Sequence, residues 1–483
     1  MKSKIFQFWS GRWRGEGGYR EVLVLAIPLI LSTGAWAVQH FVDRMFLAWH
    51  SPEALAAAMP AGALNFAFVS LFLGTAIYVN TFVAQFFGAE LHDRIGPALW
   101  QGVYVGLIAG LLHLLLIPLA GFFFGLAGHA PHVQKLEIDY FQILCLGTGP
   151  MVASSAMAGF FSGRGRTWPV MWVSLAATVV NIILDYVMIF GHWGVPALGI
   201  KGAAAATDLS ACFSFFFYLF LISLPRHNRR FRTLTGWRLD ISLFKRLLRF
   251  GLPNGVQFFL DMVGFTTFIL LVGRLGTVEL AATNIAFNIN NIAFMPMLGC
   301  GMAVSVLVGQ NLGKNRPDLA ERSVYSGFQI TLVYMAGIAA AYVLTPGIFI
   351  WPFAAQADAV SFASIHKMTV ILLRFVALYC LFDTMNIIFA SGVKGAGDTR
   401  FVMFMVIAFS LLGLALPTYI TLGIMNRGLY TAWTIFTIWV CLLGIAFLFR
   451  FLGGKWKSMS VIEMAQPTLP GSIPGRQVTA NKP

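Results

Sequence analysis

The chain has 483 residues, of which 58% are hydrophobic and only 11% charged, with a mean hydropathy of +0.77. A soluble chain of this size carries about 25% charged residues, so an ordinary water-exposed globule is excluded. The net charge of +14 would suit nucleic acid, but the basic residues are scattered between apolar runs and read as membrane orientation instead.

Residues 1–20, "MKSKIFQFWSGRWRGEGGYR", are basic and broken by Gly, with no apolar core or cleavage site. They read as a cytoplasmic lead-in rather than a signal peptide. Twelve apolar spans follow, at 21–48, 56–86, 98–125, 137–161, 167–191, 200–224, 246–272, 280–311, 323–350, 367–392, 400–423 and 429–451. Each is long enough to cross a hydrocarbon core of about 30 Å. With the N-terminus inside, all but seven of the 33 Lys and Arg fall on the cytoplasmic side. The seven are Arg44, Lys135, Lys201, Arg274, Lys367, Arg374 and Arg427, a strong positive-inside bias that also brings anionic membrane lipid within reach. The expectation is an integral protein of a bacterial inner (plasma) membrane, with both termini cytoplasmic. Residues 453–483 are polar and contain Gly and Pro, which predicts a disordered tail. Cys145, Cys212, Cys300, Cys380 and Cys441 all lie in apolar segments and point to packing, not disulfides or a metal centre.

The basic stretch 225–245 divides the chain into two sets of six spans, 21–224 and 246–452. The two halves match without gaps at an offset of 225: Pro28 on Pro253, Leu55-Ala56-Ala57 on Leu280-Ala281-Ala282, Asn65 on Asn290, Leu73-Gly74 on Leu298-Gly299. Val83, Gln85, Gly88 and Asp93 then fall on Val308, Gln310, Gly313 and Asp318. Further on the offset is 232, where "GRGRT" (163–167) meets "GAGDT" (395–399). Six spans return the chain to the side where it began, so the repeats are parallel and related by an axis along the membrane normal. The predicted fold is an all-α polytopic membrane protein of twelve transmembrane helices in two six-helix repeats. Transporters built this way hold substrate between the repeats and move one half against the other.

Against this apolar background, buried polar residues are informative, because a charge at the bilayer centre costs about 2.5–3.5 kcal/mol on insertion scales. In "NIILDYVMIF", Asn181 lies one turn before Asp185 on the same helix face. Asp185 is 18 residues past Thr167 and Asp43 is 15 past Pro28 in a span of the same direction, roughly 27 and 22 Å up at 1.5 Å per residue. Thr207 enters from the outer end of the sixth span, so Asp43, Asn181, Asp185 and Thr207 can converge in the outer half of the first repeat. Such a set of oxygens would hold Na+ or share a proton. Taken singly, Asp43 could pair with Arg44, Thr207 could bond its own helix, and Asp208 could face water. The second repeat carries Asp261, eight residues past Pro253, and Asp383 with Tyr379 one turn away. Phe268 is the counterpart of Asp43 and Trp36 that of Asp261, so scaffold and chemistry diverge. Pro28 and Pro253 permit bending by freeing a backbone carbonyl. Aromatics at 14% and 19 Met suit a cavity for flat lipophilic cations.

No phosphate loop, nucleophile elbow, metal-ligand cluster or dinucleotide fingerprint occurs, so neither an enzyme nor a bound cofactor is expected. "GAELHDRIGP" after the second span is a near miss to the inner-loop motif of major facilitator transporters. Across residues 20–452 the chain resembles the multidrug and toxic compound extrusion (MATE) family, NorM-like. The stretches that carry the resemblance are "FVDRMFLAWHSPEALAA", "GRGRTWPVMWVSLAATVVNIILDYVMIFG", "GIKGAAAAT", "RFGLPNGVQFFLD" and "SGVKGAGDT". The resemblance implies two six-helix lobes around a cleft, and export of organic cations against Na+ or H+ as a coupling ion. It implies an N-lobe cation site at Asp43, Asn181, Asp185 and Thr207, and a bending proline at Pro28. It further implies a C-lobe site for cation or substrate at Asp261, Tyr379 and Asp383, with Asp261 shorter than that branch's usual Glu. Small organic cations are the expected partners of a monomer that binds no nucleic acid. The competing readings are a flippase for lipid-linked oligosaccharides and a passive channel or receptor.

Overall fold

The computed structural model describes residues 12–354, 359–425 and 427–463. Twelve helices are long and apolar enough to cross a membrane: α1 Tyr19–His50, α2 Pro52–Gly88, α3 His92–Leu126, α4 Pro131–Ser162, α5 Trp168–Phe190 and α6 Ile200–Ser223 in the first half. The second half has α7 Ile241–Gly273, α8 Thr277–Gly313, α9 Pro317–Leu344, α10 Phe362–Ala396, α11 Thr399–Ile424 and α12 Leu429–Leu452. No strand occurs among the described residues. The boundaries have local causes. Ser51 caps α2 by accepting from the Ala54 N–H at 3.1 Å, with Pro52 at the first helical position. Asp240 caps α7 by accepting from Leu243 N–H at 3.0 Å, and Gly191 ends α5 at φ +79°.

The packing itself repeats. In the first lobe α1 packs on α5, α2 on α4, α3 on α4, α4 on α6 and α5 on α6. In the second, α7 packs on α11, α8 on α10, α9 on α10, α10 on α12 and α11 on α12. Between the lobes α1 meets α8 and α7 meets α2, which is the same contact seen twice. Gly299 and Gly74 make that approach possible. A Cβ at Gly299 would meet Ile30 N at 2.9 Å, and one at Gly74 would meet Gly255 Cα at 2.8 Å, where Ile30 and Gly255 are themselves repeat equivalents.

The matched glutamines close one end. Gln85 Nε2 donates to Gly395 O at 3.1 Å, and Gln310 Nε2 donates to Gly163 O at 2.8 Å, each reaching the repeat-equivalent carbonyl of the opposite lobe. Tyr78 donates to Lys394 O and Asn254 to Gly74 O, both at 2.7 Å. Among the described residues the side-chain hydrogen bonds that join α2, α7 and α8 to the opposite lobe lie at Gly74 or on its basic side, so the cleft is sealed at the basic end.

The tail departs from expectation. Residues 453–463, expected to be disordered, dock on the basic end: Trp456 and Val461 are fully buried, and Trp456 stacks on Phe451 at 5.1 Å. Val461 N–H and Ser460 Oγ–H donate to Gln85 Oε1 at 2.8 and 3.1 Å. The apolar pair Val461-Ile462 explains the difference, since it has an interior to enter. Residues 464–483 of that expected tail, and 1–11 of the lead-in, lie outside the described residues. The linker is likewise structured, with a helix at Pro225–Phe231 and Trp100 Nε1 donating to Thr233 O at 2.5 Å.

Candidate cation and substrate sites

In the first lobe, α1 is tied to α5 by Ser32 Oγ and Ser174 Oγ at 2.5 Å, and by Thr178 Oγ1 donating to Ala35 O at 3.2 Å. This register carries Asp43, Asn181 and Asp185 into the lobe interior, where Asn181 and Asp185 are fully buried and Asp43 is 6% exposed. The Asp43 and Asp185 carboxylates are within Coulombic reach of each other and of Tyr140 on α4. Asp43 Oδ1, both polar atoms of Asn181 and both Asp185 oxygens have no hydrogen-bond partner among the described residues. Arg44 is exposed and forms no ion pair with Asp43.

Thr207 is half-buried, and no side-chain bond joins it to the other three; its carbonyl accepts from Ser210. The α6 side chain that meets the group electrostatically is its neighbour Asp208, through Tyr140. Asp208 occupies the space a side chain at Gly147 would need, since a Cβ there would come within 2.0 Å of Oδ1. Asp208 Oδ2 is also buried and unpartnered. Among the described residues no three His, Cys, Asp or Glu side chains form a metal-binding group. What the lobe does hold is a set of buried polar atoms, Asp43 Oδ1, both Asp185 oxygens, Asp208 Oδ2 and the Asn181 amide, with no hydrogen-bond partner among the described residues. Buried charge in that state needs a cation or a proton to balance it.

The second lobe is wired differently. Asp261 on α7 accepts from Gln257 Nε2 at 3.3 Å, and Lys394 Nζ on α10 donates to Gln257 Oε1 at 3.5 Å. Asp383 Oδ1 accepts from Asn386 Nδ2 at 2.9 Å and lies within Coulombic reach of Asp261. Tyr379 is buried with its ring against Phe436 at 5.5 Å. Lys394, counted among the cytoplasmic basic residues from the sequence, is half-buried in α10 instead. The spacing of Gln257 and Asp261, one turn apart, was the readable signal for this relay; Tyr140 and Gly147 gave none. Where α1, α2 and α7 face each other, Trp36 stacks edge-on against His40 at 4.4 Å and near Phe66 at 6.0 Å. Phe66 meets Phe258 across the lobes at 5.9 Å. Trp36 is 41% exposed, leaving an aromatic face one lobe away from Asp261.

The MatE family model matches residues 28–187 and 253–419, two blocks that begin at the paired prolines Pro28 and Pro253. The chain belongs to the MatE family. Among curated relatives, the probable multidrug resistance protein NorM of Bradyrhizobium diazoefficiens is 30% identical over 395 residues, covering 81% of this chain and 83% of that protein. The multidrug resistance protein PmpM of Pseudomonas aeruginosa is 28% identical over 411 residues, covering 84% of each. A solved outward-facing multidrug resistance MATE family transporter of the MOP superfamily superposes with a TM-score of 0.83 at 20% identity, covering 92% of this chain and 98% of the other. That likeness shows the MATE fold, with its two six-helix lobes.

Proposed function

We propose that this MatE protein is a secondary active exporter of organic, mostly cationic and lipophilic compounds, driven by Na+ or H+ moving inward through the N-terminal lobe. The observation that carries the reading is the contrast in satisfaction between lobes. Asp43, Asn181 and Asp185 are buried without donors, while Asp261 and Asp383 have amide donors and a nearby lysine. A cation entering the first group relieves an unmet charge; entering the second it competes with Lys394. The names of the NorM and PmpM relatives support multidrug substrates, as does the aromatic group of Trp36, Phe66 and Phe258 where the lobes face each other, a surface that attracts flat cations.

Charge at Asp43 and Asp185 reaches the lobe interface along α1, which is bonded to α5 and packs on α8 at Ile30, two residues past Pro28. Pro28 lacks the N–H that would hold α1 straight there, so α1 can bend where it touches the other lobe. Coupling requires that ion and drug prefer different arrangements of the lobes. A flippase for lipid-linked oligosaccharides would need free cationic groups deep in the cleft, and Lys394 is offset by Asp261 through Gln257.

The test is ethidium efflux from preloaded right-side-out membrane vesicles, driven by Na+ or by an imposed pH step, for the wild type, Asp185→Asn and Asp383→Asn at matched protein level. Loss of ion-driven efflux in Asp185→Asn supports the reading, and the gradient that works in the wild type names the ion. Loss in Asp383→Asn alone moves coupling to the C-lobe. Wild-type vesicles that export no ethidium under either gradient favour the flippase.

A further inference from the structure

The repeat places the same turn at the basic end of each lobe and gives it opposite charge. In the second lobe "GAGDT" (395–399) brings Asp398, 8% exposed, to Arg450 Nη2 at 2.6 Å, with that guanidinium over the Phe401 ring at 4.3 Å. This corner is neutralised from within. In the first lobe "GRGRT" (163–167) places Arg166 where the second has Asp398. Arg164 is 9% exposed, lies 3.7 Å over Phe160 and 4.5 Å over Phe231, and donates from Nε to Phe160 O at 2.8 Å. Burial, and then the charges of Arg166, Arg230 and Arg226, push its pKa down to about 9. His227 on the linker helix lies near Arg164 and Arg226, and its Nδ1–H donates to Leu221 O at 2.7 Å. Arg230 Nη2 donates to His92 Nε2 at 3.0 Å, and Glu90 and Asp93 lie near that imidazole. Among the described residues neither acid, nor any other carboxylate, comes within 4.0 Å of Arg164, Arg166, Arg226 or Arg230.

We propose that this corner, between the α4–α5 turn and the linker helix, binds the headgroup phosphate of an anionic phospholipid. Guanidinium forks match phosphate oxygens bidentately, and four like charges with no carboxylate at ion-pair distance are complemented by an external anion. The site lies at the end of the bundle where the basic residues concentrate, the leaflet that is rich in anionic lipid under the orientation read from the sequence. Trp168, two residues past Arg166, is 52% exposed, and Phe220 on the inner part of α6 is 63% exposed. Both offer apolar surface to an acyl chain, which a free phosphate ion does not use.

The test is thermal unfolding of the full chain in a neutral detergent, with added phosphatidylglycerol, phosphatidylcholine or inorganic phosphate at millimolar concentration. The proteins are the wild type, Arg166→Gln/Arg226→Gln/Arg230→Gln (all three exposed), and Lys314→Gln as an exposed basic control in the α8–α9 turn. Phosphatidylglycerol raises the midpoint by several degrees in the wild type and control, the other two additives do not, and the triple variant loses at least half of the shift. A shift given equally by inorganic phosphate and lost in the triple variant overturns the lipid as source while leaving the phosphate chemistry in place. A wild type that does not distinguish phosphatidylglycerol from phosphatidylcholine, or a triple variant with the full shift, overturns the site. Should the triple variant unfold, native mass spectrometry of phosphatidylglycerol retained by Arg230→Gln and the wild type gives the same decision, with at least twofold less lipid expected on the variant.

Discussion

Asp43 and Phe268 hold the same position in two copies of one scaffold, and their surroundings show what the duplication kept and what it let go. Asp43 is within Coulombic reach of Asp185 and Tyr140, with buried polar atoms that have no hydrogen-bond partner among the described residues. Phe268 is sealed among Phe436 at 5.0 Å, Phe287 at 6.1 Å and Trp433 at 6.4 Å. Carrying the offset of 232 forward, Asp185 falls on Pro417, in a stretch of α11 flanked by wide π turns at Ser410–Ala415 and Tyr419–Ile424. The first lobe therefore keeps a polar interior where the second has an aromatic one. Between the lobes the copies stay alike, because Gly74 and Gly299, Gln85 and Gln310 each make one half of a two-fold contact. The glycine and glutamine contacts of the shared face are kept, while polar and aromatic side chains diverge both inside the lobes and, at Trp36 and Asp261, across the face between them.

The largest expected break in this comparison comes from the aromatic side. Phe268→Ala empties a packed site and is expected to cost about 3–5 kcal/mol, whereas Asp43→Asn leaves stability unchanged or raised because it removes an uncompensated buried charge. Thermal midpoints in detergent read both; a large loss in Asp43→Asn would mean that its carboxylate is held by partners after all. Next in size is Gly147→Ala, whose new methyl displaces the Asp208 carboxylate at a cost of about 1–3 kcal/mol, as overpacking does. The double variant Gly147→Ala/Asp208→Ala should recover most of that loss, and failure to recover would place the strain elsewhere on α4. The smallest effect sharpens the difference at the basic end. Gln310→Ala removes one cross-lobe hydrogen bond, worth about 1 kcal/mol. Gln85→Ala also releases Ser460 and Val461 and should lower the midpoint further. Labelling of a cysteine introduced at Ser305, beside Gly395, should rise more in Gln85→Ala than in Gln310→Ala; equal labelling would show that the docked tail adds nothing to the seal.

Much of this was legible in the residues because membranes simplify the code. Apolar runs set the twelve spans, and an unbroken offset that superposed Pro, Gln, Asn and Gly exposed the repeat before any contact was known. Asn181 and Asp185 were readable because a carboxylate in such a run is costly. The rest depended on approach between elements. Asp208 is held near Tyr140 because Gly147 on another helix leaves room for it, and Lys394 reads as a loop cation until α10 is seen to carry it inward to Gln257. Thr207, expected to converge with the acids, is joined to them by no side-chain bond among the described residues. The order of residues 453–463 rests on a few apolar side chains too short in span to show periodicity.

The central claim is that the unmet N-lobe group, and not the partnered C-lobe acids, takes up the coupling ion. The most direct measurement is ion binding by the purified protein without drug: uptake of radiolabelled Na+ and proton release on a pH jump, for the wild type, Asp185→Asn and Asp383→Asn. The account predicts that Asp185→Asn loses the bound ion or the released proton and that Asp383→Asn keeps it. An Asp383→Asn protein that loses the ion while Asp185→Asn retains it would contradict the account.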